Sequence, residues 1–194
     1  MATAIKGFEA KRKFTGSQQL PVGGYVLKIL EVKEIKRDNG DTDRLDVRFD
    51  VDEGDLAGFF KDNYESNPNE DKKWKGRASI WWPKDDDDEK GLERLNDIMA
   101  CFEDSNKGFS WDWNEKKLIG KKIGALFRTV HTIIEDRNVS YTEFAWFTDA
   151  ESIRTNKFKI PADKYKNGAS ASTESIMNEP FMQIPAGDMD SIPF

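Results

Sequence analysis

From position 45 to 52 the chain reads Leu-Asp-Val-Arg-Phe-Asp-Val-Asp, an unbroken alternation of apolar and charged residues. A period of two belongs to a strand, because successive side chains leave opposite faces. Leu45, Val47, Phe49 and Val51 must then be covered, while Asp46, Arg48, Asp50 and Asp52 take the solvent face. A sheet with one covered and one wet face is typically antiparallel. The partner lies immediately upstream. Leu20-Pro21-Val22-Gly23-Gly24 is a turn signal that opens a β-rich run over residues 25–36. That run exceeds an ordinary strand of about 5–6 residues, and its alternation slips, which predicts one bent strand with a bulge. Asn39-Gly40 follows, a strong short hairpin signal.

Further elements follow in order. Residues 54–73 are rich in glycine and charge, with Phe59, Phe60 and Tyr64 embedded, and no element is assigned to them. Residues 74–82 read as a third strand, stopped by Pro83. Leu92, Leu95, Ile98, Met99 and Phe102 recur at spacings of three and four, which predicts an amphipathic helix of about four turns. The carboxylates of Asp85, Asp86, Asp87, Asp88 and Glu89 precede it and suit the positive end of its dipole. Residues 104–119 read as a loop carrying Trp111 and Trp113. Residues 123–134 form a fourth, long strand, which turns through 135–138 into a fifth over 139–147. Three strands, a helix and two strands predict a mainly β protein. The matching architecture is a five-stranded Greek-key OB-fold barrel with one α-helix between strands three and four. From Asn167 the chain is rich in Ser, Ala, Gly and Asn, which predicts disorder. The expected organisation is an OB-fold domain over 1–166 and a disordered acidic tail over 167–194.

Composition narrows the functional classes. Only 37% of the 194 residues are hydrophobic, but thirteen Phe, six Trp and four Tyr suffice for a core. No apolar run approaches the ~18 residues of a membrane span, and residues 1–7 lack an apolar signal core, which predicts a chain that is not secreted. A single cysteine, Cys101, excludes an intramolecular disulfide and a multi-thiolate zinc site. A single histidine, His131, excludes a two-histidine metal motif and reads as a hydrogen-bonded strand residue. Cys101 reads as filler on the helix. The net charge of −6 is unevenly spread: residues 1–37 carry +5, 38–115 carry −12, 116–166 carry +5 and 167–194 carry −4. Two basic segments thus flank an acidic middle, and the chain ends in acid.

Sequence-tolerant binding of a single strand needs cations for phosphates and aromatic faces for bases. Both occur together on the third strand. Trp74, Ala78, Ile80 and Trp82 share one parity, and Lys73, Lys75, Arg77, Ser79 and Trp81 share the other. The second set is a basic row ending in an indole. One of Trp81 and Trp82 must be core and the other exposed. Lys121 and Lys122 stand at the start of the fourth strand, and Arg128 within it could reach phosphate. The fifth strand has aromatics of both parities, Tyr141 and Phe147 against Phe144 and Trp146, so Trp146 joins the candidates. Asp85, Asp86, Asp87 and Asp88 lack the glycine spacing of a calcium loop and read as a helix start. No phosphate-cradling glycine loop is present, and no cofactor or metal is expected.

The last eight residues are Gly187-Asp188-Met189-Asp190-Ser191-Ile192-Pro193-Phe194. A terminal Phe ring can fill an apolar pocket while Asp188, Asp190 and the α-carboxylate meet a basic rim. Pro193 keeps the tip extended, which lowers the entropy cost of docking. A flexible tail of 28 residues reaches roughly 30 Å.

This tip resembles the C-terminal peptide of bacterial single-stranded-DNA-binding proteins, although Met189 and Ser191 stand where that family usually has acid. The resemblance implies that Asp188, Asp190, Ile192, Pro193 and Phe194 recruit a recombinase, polymerase, primase or helicase. The body is different. The segments at 20–29, 59–62 and 70–76, Trp111-Asp112-Trp113 and Gly120-Lys121-Lys122-Ile123-Gly124 resemble a phage-encoded family of replication and recombination modules, over about residues 7–165. That resemblance implies an OB-fold monomer or homodimer that binds and protects single-stranded DNA without strong sequence preference, in the cytoplasm of the infected bacterial host. It assigns no role to single residues and implies no enzyme activity. Two rivals remain at this point. One is an acidic phage protein that binds host replication or defence proteins without nucleic acid. The other is a metal-dependent nuclease using Asp85, Asp86, Asp87 and Asp88 with Asp97.

Overall fold

A computed structural model of the chain describes residues 18–85 and 87–169. The alternating run pairs with the strand before it, as its period requires. β1 (Gly23–Lys36) and β2 (Thr42–Val51) form an antiparallel ladder whose register shifts between Ile29 and Glu31. Leu30 is left unopposed at this bulge and is 43% exposed. The extra residue reverses the strand's parity: Leu27 and Ile29 face the core before it, and Val32 packs against the core after it. This is how one strand of 14 residues serves two stretches of a curved sheet. All four apolar residues of the alternating run in β2 are buried.

β3 (Arg77–Trp81) pairs with the other edge of β2 and is shorter than the predicted run over 74–82. Trp74 ends the ladder. Its indole N–H donates to the backbone carbonyls of Phe49 and Gly76, both at 3.0 Å, so a side chain occupies bonding capacity that another β3 residue would have used. Gly76 is fixed there by space. A Cβ at this position would lie 2.3 Å from the Phe49 carbonyl oxygen and 2.8 Å from the Phe60 ring.

The chain returns through α2 (Glu89–Ser105), which buries Leu95, Met99 and Phe102 at the predicted spacing. A 3-10 turn over Glu115–Leu118 then leads to β4 (Lys122–Ile134), which pairs antiparallel with β1. β4 turns into β5 (Arg137–Thr148) through Glu135 and Asp136, both at positive φ. Two left-handed residues make the tight turn whose twist suits a hairpin. β6 (Lys164–Tyr165) pairs parallel with β4 beyond the part that β1 covers. The sheet order is β3-β2-β1-β4-β5. Phe49 of β2 packs 6.4 Å from Phe144 of β5, although two strands separate them in the sheet. Contact over that span requires a curled sheet, a half-barrel with its opening between β3 and β5.

Two helices depart from the sequence reading. α1 (Phe59–Ser66) lies in the segment to which no element was assigned, and α3 (Ala150–Arg154) follows β5. At eight residues, α1 is too short to stand alone, and its N-cap, Gly58, has no side chain to offer. Asp50 of β2 takes that part. Its carboxylate accepts from the backbone N–H groups of Val51 (2.8 Å), Phe60 (2.8 Å) and Lys61 (3.1 Å). Asp50 is therefore only 8% exposed, which corrects its expected place on the solvent face.

Candidate nucleic-acid interface

The ladder between β2 and β3 sets the outer face of the half-barrel. Arg44 lies opposite Trp81, Asp46 opposite Ser79, and Arg48 opposite Arg77. Their neighbours Leu45, Val47 and Ile80 go into the core, so these six residues point the other way. The result is a face with three guanidinium groups and the Trp81 indole, with the half-buried Trp74 at its margin. The Arg44 guanidinium lies 5.1 Å above the Trp81 ring and that of Arg48 5.2 Å above the Trp74 ring, within cation–π range. A shallow concavity of about 440 Å³ runs across this face, lined by Lys33, Arg44, Arg48, Arg77, Asp46 and Ser79 among others. Trp81 is 59% exposed beside it.

The electrostatics hold these groups in place. Asp46 accepts from Ser79 Oγ at 2.7 Å and from Arg44 Nε at 3.0 Å. Burial works against its charge, but these bonds outweigh burial and keep its carboxyl below the usual range. It stays ionised near neutral pH and fixes Arg44 over Trp81. Arg48 is held by Glu31 at 2.6 Å. Among the described residues Arg77 and Lys75 have no ion-pair partner.

Around the strand edge lies a larger groove of about 740 Å³, at the opening between β3 and β5. Lys75 and Arg77 form one lip, Tyr141 and Glu143 the other, and Phe49 and Phe144 are in its apolar wall. Arg77 borders both concavities. Glu143 is bonded by Lys166 at 2.5 Å and approached by Lys164 at 3.4 Å. Its burial is outweighed by the Lys166 bond, so its carboxyl also titrates below the ordinary value.

The candidates named from sequence divide. Arg77 lines both concavities and Lys75 the larger groove, Trp81 lines neither but lies under Arg44 on the same outer face, and Lys73 is exposed just before them. Trp74 is half-buried, anchored by its N–H, with its ring under Arg48. Trp82 packs against the core, so Trp81 is the exposed member of that pair. The others lie elsewhere. Lys121 sits over the Phe109 ring. Lys122 is committed to the fold, bonded to Asp52 at 2.7 Å and Glu53 at 2.8 Å. Arg128 is half-buried on β4, and its Nε has no hydrogen-bond partner among the described residues. Trp146 is 47% exposed on β5, at the sheet edge opposite β3. Arg44, Arg48 and Lys33 were missed. The available signal was register, since two alternating runs paired antiparallel bring Arg44 and Arg48 alongside Trp81 and Arg77. Asp188, Asp190, Ile192, Pro193 and Phe194 lie outside the described residues.

Glu53 joins Lys122 to Arg154, whose guanidinium meets it at 2.8 and 2.9 Å. Arg154 first and Lys122 second lower its pKa to about 2. A depressed carboxylate adds stability above its unfolded value, near 4.5, and loses it as pH falls toward 2. The expected result is that Glu53→Gln flattens the acid limb of stability between pH 5 and 3. Urea unfolding at the two pH values checks this, and parallel limbs for variant and wild type would refute it.

Of the remaining candidates Asp86 lies outside the described residues, and the following take structural places. Asp88 caps α2, accepting from Gly91 N and Lys84 N at 3.0 Å each. Asp85 accepts from Asp87 N. Among the described residues no group of three or more His, Cys, Asp or Glu side chains is arranged to hold a metal ion. His131 is hydrogen-bonded to Ser140 and Asp163, each at 2.9 Å, and stacks on Tyr165. Cys101 is half-buried, and burial pushes its thiol up to about 11. Among the described residues no helix is long and apolar enough to cross a membrane. No protein-family model matches the chain, and no curated protein matches it.

Proposed function

We propose that the chain binds single-stranded DNA without strong sequence preference, along the outer face of β2 and β3 and around Arg77 into the groove between β3 and β5. The observation that carries this reading is the pairing of cations with indoles on one face: Arg44 over Trp81, Arg48 over Trp74, and Arg77 beside them. Guanidinium groups meet phosphates, and an exposed indole offers the sequence-tolerant surface on which bases stack. The fold supports the same reading. The order β3-β2-β1-β4-β5, with α2 between β3 and β4, suits a five-stranded OB barrel left open between β3 and β5, and OB folds bind oligonucleotides on the face of strands two and three. The sequence resemblance adds the setting, phage replication and recombination in the host cytoplasm. It also adds a role for the tip at Phe194, recruitment of a recombinase, polymerase, primase or helicase.

The test is tryptophan fluorescence on titration with oligo-dT, with equal-length duplex and EDTA as controls. Saturable quenching by the single strand alone, unaffected by EDTA, is expected. The salt dependence should be shallow. Three or four phosphate contacts give a slope of log K against log salt near −2 to −3. No quenching and no mobility shift would sink the reading, and a slope near −10 would contradict the local site.

A further inference from the structure

The described chain starts on the rim of the groove between β3 and β5. Gln18, Gln19 and Leu20 line that groove beside Asn63 of α1. Gln18 N donates to Asn63 Oδ1 at 3.0 Å, and Asn63 Nδ2 donates back to the Gln18 carbonyl at 3.3 Å. Gln19 Nε2 donates to the Ser140 carbonyl on β5 at 3.4 Å, and Leu20 is buried. The chain is thus fixed to both α1 and β5 at the groove, and whatever precedes Gln18 is rooted there. What precedes it is basic: residues 1–17 carry Lys6, Lys11, Arg12 and Lys13 against a single acid, Glu9. Lys13 and Lys11 stand five and seven positions before Gln18, a reach of at most about 18 and 25 Å in an extended chain. That suffices to cross a groove of about 740 Å³.

Charge decides what this basic run can meet. Lys75 and Arg77 line the groove without ion-pair partners among the described residues. Glu143 is the only acidic side chain lining it among those residues, and Lys164 and Lys166 already pair with it. Three successive cations are repelled by such a groove when it is empty and attracted once a polyanion lies inside. A neutral or basic occupant leaves the repulsion in place. We propose that Lys11, Arg12 and Lys13 form a second phosphate-binding element, which meets from the open side the phosphates of a single strand lying in the groove. The inference rests on the single-strand reading above and assigns to this run one or two of the phosphate contacts expected there.

The test is fluorescence anisotropy of labelled dT18 across a salt series, on the full chain and two triple variants. Lys11→Gln/Arg12→Gln/Lys13→Gln should reduce the slope of log K against log salt by about 0.7–1.4. The matching loss of affinity is roughly eight- to sixtyfold at 50 mM salt and less than about threefold at 500 mM. Tryptophan quenching at saturation should stay at the wild-type level, which shows that the sheet and its site are intact. Lys107→Gln/Lys157→Gln/Lys159→Gln removes the same charge from exposed residues that line neither concavity, and it should leave the slope unchanged. An unchanged slope in the first variant, or equal changes in both, would overturn the second element and leave the single-strand reading standing. Tighter dT18 binding by the first variant would overturn it too, by showing that the run competes with the strand for the groove. Binding of a labelled octaglutamate as tightly as dT18, lost in the first variant, would assign the run to an acidic peptide instead. If the wild-type chain does not bind dT18, the single-strand reading fails and this one with it.

Discussion

Trp81→Ala is expected to weaken binding of dT18 by roughly five- to a hundredfold, the range for removing one stacked base. The ring is 59% exposed, so little core packing is lost and stability should move by less than about 0.5 kcal/mol. Arg44 lies over one side of this indole and is held there by Asp46, so the stacking surface is oriented before the strand arrives. Preorganisation of this kind lowers the cost of binding. Trp146→Ala is the internal control. Trp146 is exposed to a similar degree, at 47%, but its side chain lines neither of the two concavities. Its removal should leave affinity unchanged. Trp81→Ala should also leave the salt slope unchanged, because no phosphate contact is lost, whereas Arg77→Gln should reduce it by about 0.7. Equal losses from Trp81→Ala and Trp146→Ala, or none from either, would remove the β2–β3 face from consideration.

What the sequence made legible was what periodicity encodes locally. Leu45, Val47, Phe49 and Val51 announce β2, and the slip in the run before them announces the bulge at Leu30. The spacing of Leu95, Met99 and Phe102 announces α2. The shorter elements carry no such signal. In α1 the buried residues are the adjacent pair Phe59 and Phe60, its eight residues are too few for a sustained apolar repeat, and its cap comes from Asp50 on another element. The predicted third strand ran too long because Trp74 fits a strand by propensity, while the Trp74 indole ends the ladder through Phe49, 25 positions away. The site divides in the same way. The row Lys75, Arg77 and Trp81 could be read from parity on one strand. The contribution of Arg44 and Arg48 depends on register between strands. The commitment of Lys122 depends on Glu53, 69 residues away in the chain, and no window of sequence contains that partner.

Asp50→Ala is expected to cost about 3–4 kcal/mol, the largest stability loss among these substitutions. Three backbone N–H groups converge on this one carboxylate, and two of them, Phe60 N and Lys61 N, belong to the first turn of α1. Those donors have no partner within a helix, and Gly58 supplies none. Hydrogen bonds to a charged group contribute about 1.5–3 kcal/mol each, and buried donors left without partners add their own penalty. The loss spreads because α1 places Phe59 and Phe60 in the core, and Phe60 packs edge-on against Phe49 at 5.6 Å beside the groove. Asp50→Asn keeps one acceptor oxygen but turns an N–H₂ toward backbone donors, so it should recover only part of the loss. Urea unfolding should show a lower midpoint at unchanged slope. Amide exchange should show selective loss of protection at Phe60 and Lys61. A cost below 1 kcal/mol would mean that water replaces the carboxylate at this site. A normal cost with intact protection at those two amides would mean that α1 holds by packing alone, and that the groove wall does not depend on Asp50.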